Sequence, residues 1–242
     1  GSVQEADYGL GESVFDAFRR HAATNAADAR ITEATLSNAS FALSSYIAHS
    51  PSDVDALHLS ALVSERLGQL DLAIDRISAA ATLLEERYEA TESAVVARQY
   101  AVAESNLGRI RLAAGDFDGA AAAFEAAIGL LDVADDEAID DAEDGKIEPQ
   151  VLEIAKVQSQ LGLALAQHFG GHNDNALGSI RDALSNARAA GAVALERDLT
   201  LQLAKLLWAV NGSAGIEEVK QELFGNIGAD DNSSTHVPSI LA

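Results

Sequence analysis

Apolar and small residues recur three and four positions apart along most of the chain, with polar residues between them, a spacing that predicts helices. The pattern is clearest from Asn106 to Leu131. Leu107 and Gly108 lie in one short helix, Gly115, Asp116 and Phe117 make a turn, and Ala120, Phe124 and Ala127 share one face of a second helix. Further helices are expected at about 54–67, 71–88 and 92–113. Downstream the same spacing predicts helices from Gln150 to Phe169, from Asn173 or Asp174 to Ala189, from Glu196 to Val210 and from Ile216 to Ile227. Upstream, Val14, Phe15, Phe18 and Ala22 share a face, and Ile31–His49 reads as a helix with Leu36, Ala39, Leu43 and Ile47 on one side. Ser50-Pro51-Ser52-Asp53 stops that helix and caps the next, while Gly170-Gly171, Gly191 and Asn211-Gly212 mark later breaks. Alternating β-branched runs are absent, so the predicted class is all-α.

The Asn106–Leu131 hairpin has a physical logic. Gly108 lets the second helix press against the first, Ala120 and Ala127 keep the crossing close, and Phe124 fills the space between them. Gly115 and Asp116 supply turn chemistry, and the Asp116 carboxylate is placed to cap the second helix. This small, small, aromatic, small order resembles the tetratricopeptide repeat (TPR). It recurs with Ala61, Gly68, Ala73, Ile77 and Ala80, and again with Ala164, Gly171, Ala176, Ile180 and Ala183. Weaker units start near Arg20 (Ala39, Leu43, Pro51) and near Thr200 (Leu207, Val219, Leu223). Unit starts at 20, 54, 101, 157 and 200 are irregular, which such arrays tolerate because each unit contacts only its neighbours. The expected architecture is therefore a TPR-like α-solenoid of antiparallel helix pairs; a non-repetitive helical bundle is the alternative.

The segments divide accordingly. Residues 1–12 read as a flexible lead-in whose Gly1-Ser2 start, in a chain without methionine, resembles an expression-tag scar on a fragment of a longer protein. Helical repeats are expected over 13–131 and 150–227, and a flexible tail over 228–242 with an apolar foothold at Ile240-Leu241. Between the repeats, 132–149 reads as an acidic inserted loop, partly helical near Glu137, because Asp132 to Glu148 holds nine acidic residues and one lysine. It is expected to be a solvated insertion, with a mimic of an acidic ligand or a dock for a basic partner as the functional alternatives.

Charge narrows the partners. A net charge of −22 opposes direct binding to nucleic acid, which depends on Lys and Arg neutralising phosphates, and opposes anionic membranes equally. No stretch is long and apolar enough to span a membrane, and the absence of cysteine excludes disulfides and thiolate metal sites, so a cytoplasmic chain is expected. His168 and His172 have metal-like spacing, but Gly170-Gly171 breaks the helix between them and no third ligand is near in sequence, so no metal is expected. No phosphate-binding loop, dinucleotide fingerprint or nucleophile elbow occurs. The expectation is a protein with no cofactor that is not an enzyme.

What remains is a groove. In TPR arrays the first helix of each pair lines the concave face, which places Asn106 and Arg109, and later Lys205 and Trp208, as candidate partner-binding residues. Arg and Trp commonly anchor interfaces, although Trp208 also fits a core position. The positions that grip a peptide carboxylate in TPR co-chaperones hold Asp55, His58 and Leu161 here, so that clamp is incomplete.

Three segments carry a more specific resemblance: LLEERYEATESAVVARQYAVAESNLGRIRLAAGDFDGAAAAFEAAIGLL (83–131), LGLALAQHFGGHNDNALGSIRDALSNA (161–187) and LTLQLAKLLWAVNGSAGIEEVKQELFGNI (199–227). Together they resemble the TPR scaffold subunit of the fungal superkiller complex, over roughly 50–240. The resemblance implies a non-catalytic scaffold that holds an RNA helicase subunit and β-propeller subunits and supports 3′-to-5′ mRNA decay by the cytoplasmic exosome. One departure stands out: that family docks its propellers through Gln-Arg motifs, and no Gln-Arg pair occurs here. The alternatives are a co-chaperone-type peptide-binding module and the regulatory TPR domain of a larger enzyme.

Overall fold

The structure is a computed structural model that describes residues 33–138 and 149–212, with Gly215 and Lys220. The predicted helix before residue 33, the one over 216–227 except Lys220, the lead-in, the tail and the centre of the acidic segment lie outside the described residues.

The described residues form helices and no strands. In order these are α1 (Glu33–His49), α2 (Val54–Arg66), α3 (Leu70–Thr91), α4 (Ala94–Ala114), α5 (Phe117–Ala138), α6 (Pro149–Phe169), α7 (Asn173–Ala189) and α8 (Val193–Asn211). Within each unit short turns join the helices, so successive helices reverse direction and pack on their sequence neighbours, as expected of TPR-like helix pairs. The chain divides into two compact units, one up to Leu152 and one from Glu153.

Local chemistry explains the boundaries. Asp53 caps α2: its Oδ1 accepts from the Ala56 amide at 3.0 Å, and its Oδ2 accepts from the Tyr46 hydroxyl of α1 at 2.9 Å. These bonds hold its carboxyl below the usual carboxylate range. At the α4–α5 turn Gly115 sits at φ 81°, a conformation that costs other residues strain, and the Asp116 amide donates to Arg111 at 3.0 Å. Asp116 Oδ1 then accepts from the Gly119 amide at 3.0 Å, which caps α5. Gly68 and Gly171 adopt the same left-handed conformation at the corresponding turns of the neighbouring pairs.

The small-residue register is the core. Ala61, Ala73, Ile77 and Ala80 are buried, as are Gly108, Ala120, Phe124 and Ala127, and Ala164, Ala176, Ile180 and Ala183. In the first unit, side chains of α2, α3, α4 and α5 form one cluster around Ile77, Leu84, Leu107 and Ile110. In the second, α6, α7 and α8 close around Val157, Ile180, Leu184, Leu203 and Leu207.

Several boundaries differ from expectation; α3, for one, runs to Thr91 and not to about 88. α5 continues without a break past Leu131 to Ala138, so the helix expected near Glu137 is the end of α5 and not a separate turn within a loop. Its apolar face does not end at Leu131: Ala134, three residues on, is also buried, while Asp132 and Val133 point to solvent. Asp132 thus lies on the polar side of the same helix. α8 begins at Val193 rather than Glu196, because Gly191 makes the break and the Ala192 carbonyl already accepts from the Glu196 amide at 2.9 Å.

One core position is electrostatically costly. Glu104 is buried on α4, and burial raises its pKa, opposed by Arg111 and reinforced by Glu85. Tyr100, one turn earlier, is pushed up to about 12 by burial and by Glu104 and Glu85. A carboxyl whose folded pKa is raised disfavours folding only once pH climbs above its ordinary range, where the unfolded chain loses the proton first. Glu104→Gln is therefore expected to raise Tm by a few degrees at pH 7.5 and to lose that advantage at pH 4, read by paired thermal melts.

Candidate functional site

α2 and α4 are the first helices of adjacent pairs, and polar side chains stitch them together. Asn106 Nδ2 donates to His58 Nε2 at 2.9 Å across the seam and to the Val102 carbonyl at 3.0 Å within its own helix. Its Oδ1 accepts from Arg109 Nη2 at 3.3 Å. Arg109 Nη1 in turn pairs with Glu65 of α2. The result is a chain of four side chains, His58, Asn106, Arg109 and Glu65, across two helices whose α4 members lie one turn apart. Burial lowers the His58 pKa, Asp55 opposes that shift and Arg109 reinforces it.

Apolar side chains remain open around this seam. Leu59 on α2 and Val95 and Val102 on α4 are each about half exposed. At the end of the same helices, Ser52, Asp53, Val54, Asp55, Arg87 and Gln99 line an open polar cleft. The face is thus apolar in the middle, ion-paired at one end and acidic at the other. It can hold a segment of another protein through apolar contacts.

The second unit presents its own face. Trp208 is 56% exposed on α8, so its side chain is not part of the core. Val193 and Leu201 are exposed on the same helix, at spacings that share one face with Trp208. Lys205 is partly buried beside them. The opposite face, Leu199, Leu203, Leu206 and Leu207, is buried.

The four residues singled out from the sequence therefore fall on two surfaces. Asn106 and Arg109 lie together in the first unit with their polar atoms engaged across the seam, and Lys205 and Trp208 lie together in the second. Sequence reasoning missed Glu65 as the partner of Arg109, and missed Leu59, Val95, Val102, Val193 and Leu201. The spacing of Val193, Leu201 and Trp208, opposite a leucine-rich face, is the signal that could have found the α8 surface. Of the three clamp positions, Asp55 is exposed and acidic and would repel a peptide carboxylate, and His58 is occupied by Asn106.

His168 Nδ1 donates to Asn173 Oδ1 at 2.7 Å, which commits that nitrogen to the turn. Among the described residues no group of three or more His, Asp or Glu could hold a metal ion, and no helix is long and apolar enough to cross a membrane.

No protein-family model matches the chain. It is similar to Superkiller protein 3 of Schizosaccharomyces pombe, with 26% identity over 227 residues. The similarity covers 90% of this chain and spans 14% of the length of that protein. It agrees with the resemblance carried by the three segments above.

Proposed function

We propose that this chain is a non-catalytic scaffold segment that binds other proteins through the exposed faces of its first-position helices, in a cytoplasmic assembly of superkiller type that supports exosome-mediated 3′-to-5′ mRNA decay. The observation that carries the reading is the similarity to Superkiller protein 3 along nine-tenths of the chain. It is supported by an all-helical repeat fold with apolar side chains open on α2, α4 and α8. The partners proposed are the RNA helicase subunit and the β-propeller subunits of such a complex. A charge of −22 favours partner segments that are basic or apolar and disfavours direct contact with RNA.

The test is capture of each purified subunit, helicase or propeller, by the immobilised chain at moderate salt. Retention of the helicase is the expected result. Trp208→Ala is expected to weaken that retention about tenfold or more, since truncating an anchoring tryptophan commonly costs ~2 kcal/mol or more. Absence of binding to both subunits removes the superkiller assignment and leaves the repeat fold.

A further inference from the structure

The Asn106 amide can be oriented in only one way without loss. With Nδ2 toward α2, it donates to both the Val102 carbonyl and His58 Nε2, and Oδ1 accepts from Arg109. Turning the amide over would set Oδ1 against the Val102 carbonyl and aim the NH2 group at the Arg109 guanidinium, donor against donor. His58 Nε2 must therefore be the acceptor, so the ring is neutral with its proton on Nδ1. A protonated ring would present N–H at both nitrogens, and two donors would then face each other across the seam. Reorienting the amide to accept from the ring exchanges the Val102 and Arg109 bonds for one.

We propose that His58 is a proton-operated latch: its neutral ring couples α2 to α4 through Asn106, and protonation uncouples them and loosens the face proposed above for partner binding. The charges that act on the ring, among the described residues, are Asp55 on its own helix and Arg109 from α4. Asp55, although exposed, is the stronger of the two and favours the proton. Arg109 is held close by Glu65 and Asn106, so an imidazolium would add a second cation to a half-buried seam. Burial is the largest influence: with Arg109 it outweighs Asp55 and keeps the proton off until below the ordinary value of 6.5. With the folded pKa depressed, the stabilisation from the neutral ring is complete above 6.5 and is lost as pH falls through the folded value. The consequence for binding rests on the scaffold reading, but the latch belongs to the free chain.

Two measurements on the free 242-residue chain test it. In the first, long-range 1H–15N spectra follow the imidazole rings from pH 8 to 5, with His58 assigned by its loss in His58→Gln. The expected result is an unprotonated Nε2 at pH 7.5 and a midpoint below 6.5. In the second, unfolding and amide exchange in α2 and α4 are compared between wild type and His58→Gln, whose Oε1 keeps an acceptor for Asn106 but does not titrate. The wild-type folding constant is expected to fall, relative to the variant, by up to about tenfold per pH unit below 6.5. Parallel pH profiles, an Nε2-protonated ring at pH 7.5, or a midpoint at or above 6.5 overturns the latch. Should His58→Gln not fold, the wild-type ring spectra decide alone, with assignment through the ring-to-backbone couplings. Neither measurement involves a partner, so loss of the latch leaves the scaffold reading intact, and failed capture leaves the latch intact.

Discussion

Phe124→Ala is expected to destabilise the first unit by about 3–5 kcal/mol, read as a lower urea midpoint with an unchanged slope. The ring is fully buried on α5, between Ala120 and Ala127 on its own helix and Gly108 on α4. A Cβ built on Gly108 would lie 3.0 Å from three atoms of that ring, so the ring occupies the space a Gly108 side chain would need. Glycine and phenylalanine are one fit divided between two helices. Removing the ring leaves a cavity lined by alanines and glycine, whose short side chains cannot swing in to fill it. A loss below ~1 kcal/mol would mean that the α4–α5 crossing collapses freely, and that the close packing inferred there is wrong.

Ala120→Arg is expected to cost more than ~3 kcal/mol and to unfold the first unit at or below the wild-type midpoint temperature. Ala120 has no exposed surface and lies in the first turns of α5, where the chain leaves Asp116 and faces α4. A long cation there must either push the helices apart or bury its charge among alanines. Snorkelling offers little relief, because the residues three and four away on that face, Ala123 and Phe124, are buried as well. A folded variant with an unshifted melting curve would falsify the repeat register, because it would place residue 120 on an outer face. Glu125, which is exposed on the same helix, is the control: Glu125→Arg should leave the midpoint nearly unchanged.

The candidate surfaces were less legible than the fold. Asn106 and Arg109 follow from register, since both sit where the first helix of a TPR pair is expected to line the concave face. What register could not supply was their occupancy. His58 and Glu65 lie far from Asn106 and Arg109 in sequence, and only the packing of α2 against α4 brings their side chains within bonding distance. Trp208 illustrates the same limit from the other side. Its position on α8 fits either a core or an interface, and its exposure in the folded unit excludes it from the core.

The sequence by itself determined the helices, their turns and the buried register, because these rest on short-range physics. A period of three and four sets each helical face, glycine alone takes the left-handed turn conformation without strain, and Asp53 and Asp116 cap amides within a few residues of themselves. Tertiary structure decided how far α5 runs, because Ala134 had to find a neighbour to bury it before Asp132 and Val133 could be assigned to solvent. It also decided which polar groups are spent inside the fold and which are left for partners. That choice depends on contacts between residues distant along the chain, and no local pattern of residues encodes them.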